Sequence, residues 1–195
     1  MKLPDILRMM MAAAVLFVLP FAAHAATPVS KDEANAFYAQ CMAKPDERLS
    51  PDTQNEFCAC ASAHMMQTMS AEDMKLAAES TPAGRVMAKK MMITVYGPCI
   101  GGPITEVAGG RCESDPRVVL ADKMVRRDVV CACMADKITT WLDVSGPDTL
   151  AKVMEATPFV NDTLDTVMES GVYKKEEYEI MMDCLHDRDS IRRKK

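Results

Sequence analysis

The tetrapeptide Phe57-Cys58-Ala59-Cys60 returns as Val130-Cys131-Ala132-Cys133, and each copy has one more cysteine before it and one after it. The first set runs Cys41, Cys58, Cys60, Cys99 and the second Cys112, Cys131, Cys133, Cys184, so the eight cysteines fall twice into one order. That pattern reads as an internal duplication. It constrains the chain to two related units, each organised around a Cys-Ala-Cys.

Whether those cysteines crosslink depends on the compartment. Lys2 and Arg8 flank the start of an apolar run, Met9 to Phe21, which ends in the small-x-small site Ala23-His24-Ala25. This is the form of a cleaved secretory signal. The run has thirteen residues, short of the roughly 20 needed to span a hydrocarbon core. Residues 1–25 are therefore read as a signal peptide, and the mature chain, from Ala26, as exported to the periplasm or secreted, with no transmembrane segment. Thiols oxidise outside the cytoplasm, so an even number of cysteines there implies a disulfide framework.

Residues i and i+2 of a helix lie about 200° apart around its axis. Cys58 and Cys60 are thus badly placed to join each other, as are Cys131 and Cys133, and each central helix should be stapled on two sides. The reading favoured is Cys41 with Cys58 and Cys60 with Cys99, and by analogy Cys112 with Cys131 and Cys133 with Cys184. The swapped pairing, Cys41 with Cys60 and Cys58 with Cys99, stays open, because spacing alone does not choose.

Helix signals recur along the chain. Ser30 with Glu33 has the capping-box form, and Ala34, Phe37, Tyr38 and Cys41 then fall at helical spacing. Ser50-Pro51 opens a second helix to about Met69, Ser70 a short one to about Glu79, and Thr81-Pro82 another to Gly97-Pro98. Gly101 to Gly110 holds four glycines and Pro103, which reads as a linker. Asp115-Pro116 then predicts one long helix through to Trp141, with the second unit's entry helix lost into the linker. A final helix from about Lys174 puts Tyr178, Met181, Met182 and Leu185 on one stripe, with Cys184 beside it. No segment sustains the alternation of a strand. The expected fold is all-α, with units at 26–100 and 112–187, a linker at 101–111 and a basic tail at 188–195.

The composition excludes some functions. Without Lys2, Arg8 and Asp5 the chain has 21 basic and 27 acidic residues, a net charge of −6, which argues against binding nucleic-acid phosphates. No nucleophile-base-acid arrangement, phosphate loop or zinc-protease motif stands out, so no catalytic, cofactor or metal residue is assigned. Two chemical alternatives remain. Cys58, Cys60, His64, Met65, Met66 and Met69 form a soft-ligand cluster suited to Cu(I), though oxidation of the cysteines competes with it. Thiol exchange is the other, although the pairs lie mid-helix and lack Cys-x-x-Cys spacing. The residue four after Cys133 is Lys137, not histidine, so no Cys-His chemistry is shared by both units.

His64 and His186 read as ordinary, partly exposed side chains. Fourteen of the 18 methionines lie beyond the signal. Met65, Met69, Met91, Met181 and Met182 sit on helical stripes, which favours core filling over an adaptable groove. Trp141 reads as core. The tail from Arg188 to Lys195 reads as solvated, with contact to an anionic surface the lesser alternative.

An exported, all-helical chain with eight cysteines and Cys-x-Cys is similar to the plant lipid-transfer proteins, in which crosslinked helices surround an apolar cavity. That family has adjacent cysteines and a single Cys-x-Cys, whereas this chain has two and no adjacent pair, so neither cavity nor site is carried over. The signal, size and helices also suit small bacterial envelope proteins as a class. The function expected is that of a non-enzymatic exported binding or structural protein with a protein partner. A copper carrier and a thiol-disulfide oxidoreductase are the alternatives.

Overall fold

The computed structural model describes residues 26–156 and 162–187. The stretch read as a signal peptide, 1–25, and the one read as a basic tail, 188–195, lie outside the described residues. The described chain is all-α: helices without strands, and one isolated bridge between Pro28 and Ser70 that pins the entering segment to the third helix.

Short polar caps start the first four helices. Helix α1 (Lys31–Met42) has the full Ser30/Glu33 capping box, and Ser50 and Pro51 open α2 (Pro51–Thr68). Ser70 and Asp73 box the start of α3 (Ala71–Ala77), and Thr81 with Pro82 starts α4 (Pro82–Met91). Each cap oxygen accepts one of the first-turn N–H groups that have no partner inside the helix. After Met91 the backbone widens into a π-turn, Met92–Tyr96, and tightens into a 3-10 turn, Gly97–Cys99. At Gly97 a Cβ would come within 2.5 Å of Leu150 Cδ2, so any larger residue there would make the Leu150 side chain shift.

The stretch read as a linker is a helix. Helix α5 (Gly101–Ser114) buries Pro103, Ile104, Val107, Ala108 and Cys112, so the stretch expected to be a glycine-rich linker at 101–111 is helical and packed. Glycine costs about 1 kcal/mol in a helix relative to alanine, but here that cost is offset by burying a complete apolar face. The helix packs against α2 and against the long helix Arg127–Ala156. It also carries Cys112 into its bond, as α1 carries Cys41, so the second half's entry helix is present and not lost.

A second correction concerns the helix from Asp115. Helix α6 (Pro116–Ala121) stops early, the chain turns over Val125, and α7 (Arg127–Ala156) begins anew. The Arg127 N–H donates to Asp122 Oδ1 at 3.2 Å across the turn, and Val125 is buried, so local satisfaction favours the break. Helix α7 then runs 30 residues, through Gly146-Pro147. Helices α8 (Thr163–Met168) and α9 (Gly171–His186) close the fold, capped by Asp162 and Ser170. The buried face of α9 is Tyr173, Ile180, Met181 and Cys184. The predicted stripe is rotated: Tyr178 lies outside, with the Arg117 guanidinium 5.1 Å from its ring centroid, and Cys184 is fully buried.

Two clusters form the core. The smaller joins Ala34, Ala61, Met65, Met69 and Val95, and the larger gathers Ile104, Val118, Met134, Ile138, Met154, Met168 and Tyr173. Membership passes from one to the other between Cys99 and Ile100. Met65, Met69 and Met181 are buried and Met91 packs against the smaller cluster, as filling side chains do. Trp141 packs against the larger cluster, edge-on to Tyr173 at 6.2 Å.

One acid borders that larger core. Glu177 is half-buried, its carboxylate accepting from the Tyr173 hydroxyl at 3.4 Å, and desolvation pushes its carboxyl above the ordinary range. The folded chain therefore holds that proton more tightly than the unfolded chain. This group's contribution is intact below the ordinary glutamate value and is lost as pH rises through the folded value. Glu177→Gln should therefore raise the melting temperature at pH 8 more than at pH 4. Circular-dichroism melts of both proteins at the two pH values would check it, and equal shifts would refute it.

Candidate functional site

The structure joins Cys41 to Cys58, Cys60 to Cys99, Cys112 to Cys131 and Cys133 to Cys184, with Cα separations of 5.6 to 5.9 Å. No free cysteine remains. Each Cys-Ala-Cys helix, α2 and α7, is tied to two different neighbours because its thiols diverge around the axis. The soft-ligand cluster read around Cys58 does not assemble as one set: Cys58 turns to Cys41, and Met65 and Met69 enter the core. A different trio comes together. The sulfurs of Cys60 and Cys99 and a ring nitrogen of His64 lie within 4.8 Å of one another. With the sulfurs bonded to each other this set offers no thiolate to a metal. His186 is exposed at the end of α9, its Nδ1 2.6 Å from the Met182 carbonyl oxygen.

Above the first disulfide lies a groove of about 360 Å³. Phe37 of α1, Phe57 of α2 and Tyr96 of the π-turn form an aromatic wall, with the Tyr96 ring 5.8 Å from Phe57 and 6.1 Å from Phe37. Leu49, Met92 and Ile100 continue the apolar lining, and Gln40, Lys44, Asp46 and Asp162 supply polar groups. Burial raises the Tyr96 hydroxyl above its ordinary value. The widened π-turn is what brings Met92 and Tyr96 to the same groove, a placement typical of such bulges.

The groove's loop, residues 43–50, is held from three sides. Gln54, only 5% exposed, donates from Nε2 toward Cys58 Sγ at 3.2 Å and the Cys41 carbonyl at 3.4 Å, while its Oε1 accepts from the Asp46 N–H at 3.2 Å. Arg48 forms a clasp with Asp46 and with Asp162 and Asp165 at the start of α8. Asp46 first and then Asp165 hold its guanidinium above the ordinary range, and Arg48 in turn holds the Asp46 carboxyl below its own. From α5, Glu106 accepts from the Ser50 N–H at 2.7 Å and its hydroxyl at 3.1 Å. Its carboxyl is lowered first by Thr53 and then by Ser50. A carboxylate at the start of α2 also meets the positive end of that helix.

A second groove, about 600 Å³, runs between α2 and α5 and is lined by Phe57, Cys60, Pro98, Cys99, Thr105 and Asp143, among others. Neither groove was foreseen, because both depend on α5 being a helix and on the turns between Met92 and Ile100. Comparison with protein-family models, curated proteins and solved structures finds no match for this chain.

Four disulfides hold a helical chain in which, among the described residues, no helix is long and apolar enough to cross a membrane. That combination fits an exported protein.

Proposed function

We propose that this is an exported binding protein whose recognition surface is the aromatic groove between α1, α2, the π-turn and α8, and whose ligand is an apolar side chain presented by a protein partner. The observation that carries the reading is the way the groove is held. Its aromatic wall comes from three elements, the Cys41–Cys58 bond and Gln54 fix its floor, and the Arg48 clasp fixes its far rim. Rigid aromatic walls with a polar rim suit an anchor residue, since little side-chain freedom is lost on binding. Lys44 faces the groove along with Asp46 and Asp162, so the rim carries both charge signs and complements a polypeptide better than a single ion.

The repeated order of helix, cysteine and bond supports a duplicated unit, and the groove joins α1, α2 and the π-turn of the first copy to the start of α8 in the second. The copper-carrier reading has less support, because Cys58 and Cys60 are each committed to a different partner sulfur.

A photoreactive residue at Gln40, at the groove, should crosslink to one discrete protein in the native compartment, while the same residue at Glu179 on α9 should not. Loss of the adduct on Phe37→Asp, with the helical circular-dichroism signal retained, would complete the case. Identical adducts from both positions, or adducts with lipid alone, would refute it.

A further inference from the structure

The Cys60–Cys99 bond differs from the other three in its surroundings. Cys60 is half-buried in mid-α2, and Cys99, 8% exposed, sits in the 3-10 turn two residues before α5 begins. The residue between, Ile100, supplies no capping side chain, so the first N–H groups of α5 have no capping partner there. Negative charge beside such a helix start is favoured. His64, one turn beyond Cys60, brings a ring nitrogen within 4.8 Å of both sulfurs. The bond also lines the groove of about 600 Å³ between α2 and α5.

The other bonds lack this combination. In Cys133–Cys184 the residue matching His64 is Lys137, which pairs with Asp183. Cys112 and Cys131 are both buried. At Cys41–Cys58 the neighbouring side chain is Gln54, which carries no transferable proton at physiological pH.

We propose that Cys60–Cys99 is a thiol-exchange site for a thiol-bearing molecule entering the groove, with His64 as its proton donor. The incoming thiolate attacks the more exposed Cys60 Sγ. As that new S–S bond forms, the Cys60–Cys99 bond breaks and its electron pair leaves on Cys99 Sγ. The leaving thiolate takes its proton from His64, whose ring nitrogen lies within 4.8 Å of it. That proton balances the one the incoming thiol gave up. The freed Cys99 thiol then donates to the Val95 carbonyl oxygen, 3.4 Å from its sulfur. Because Cys60 is the more exposed sulfur and so the one attacked, Cys99 is the leaving group. The reaction ends in a mixed disulfide on Cys60. A second thiolate can resolve it, carrying two electrons into the pair and releasing the incoming thiol as an oxidised disulfide. This proposal does not depend on the aromatic groove's having a partner.

The test uses the mature protein with all four bonds formed. Glutathione and, separately, an unstructured peptide with one cysteine are added under native conditions, free thiols are alkylated at intervals, and peptides are mapped without reduction. The expected result is an adduct on Cys60 with alkylation of Cys99, forming about a hundredfold faster than opening at Cys133–Cys184, which has no histidine beside it, in the same molecules. His64→Gln should slow it about a hundredfold with an unchanged melting temperature. Reaction with glutathione alone would mark a small thiol as the substrate, and reaction with the peptide as well would mark a protein thiol. Equal opening of all bonds, no opening without denaturant, an adduct on Cys99, or an unchanged rate in His64→Gln would each overturn the proposal. Because Cys133–Cys184 is an internal reference, the comparison holds even if His64→Gln fails to fold.

Discussion

Replacing Ile104 with alanine is expected to lower the free energy of unfolding by about 3 kcal/mol, within the range for truncating a fully buried aliphatic side chain. Ile104 is 0% exposed and belongs to the larger core cluster. Helix α5 packs on α7 and α2, and its Glu106 holds the Ser50 cap, so little of the surroundings can collapse into the space left behind. Residual cavity volume is what pushes such losses toward the upper end of the range. The result also decides between two views of the same stretch. If 101–111 were a solvated connection, Ile104→Ala would change stability by less than about 0.5 kcal/mol, as surface substitutions do. Urea titrations of the two proteins at one pH would measure it, and an unchanged midpoint would refute the helix. The aromatic groove should feel the change too, since Pro103 and Ile100 at the start of α5 line it.

Why that stretch misleads is physical. Its four glycines lower helix propensity, and the strongest local signals, Gly97-Pro98 before it and Asp115-Pro116 after it, are breaks. What overrides them lies far along the chain, in Met134, Ile138 and Leu142 on the facing helix, and pairing at that range leaves no periodic mark in a glycine-rich window. Where the decisive interaction is local, the sequence is readable. Ser30, Ser50, Ser70 and Thr81 each place a helix start, because a cap reaches only three residues. The all-α class follows from those caps and the lack of alternation.

The disulfide partners are an intermediate case. The divergence of residues i and i+2 excludes a bond within each Cys-Ala-Cys, and Cys41–Cys58 with Cys60–Cys99 is one of the two pairings then left open. The grooves were not legible at all. The aromatic wall needs the π-turn at Met92–Tyr96, and nothing in Met-Ile-Thr-Val-Tyr signals a widened turn in place of another turn of α-helix. His64 was visible, but its neighbour Cys99 lies 35 residues further on and reaches it only because the chain turns back at the end of α4.

Removing the bond between Cys133 and Cys184 should be the most costly of the four deletions. It closes a separation of 51 residues, against 39, 19 and 17 for the others. Restricting the unfolded chain over such a loop contributes about 4 kcal/mol, compared with about 3 kcal/mol for Cys41–Cys58. Apart from the bond, helix α9 is held mainly by apolar packing on α7. Its lone lysine contact to α7, Lys137 with Asp183, is an exposed pair worth at most about 1 kcal/mol, so the docking of Tyr173, Ile180 and Met181 must hold the helix once the bond is gone. The double variant Cys133→Ala/Cys184→Ala should therefore melt roughly 8 to 16 °C lower, at about 2 to 4 °C per kcal/mol for a chain of this size. The matching variant of Cys41 and Cys58 should lose less. Paired calorimetric scans at one scan rate would rank them. If the order were reversed, loop closure would not be what these bonds contribute, and strain or structure in the unfolded chain would have to account for their stabilisation.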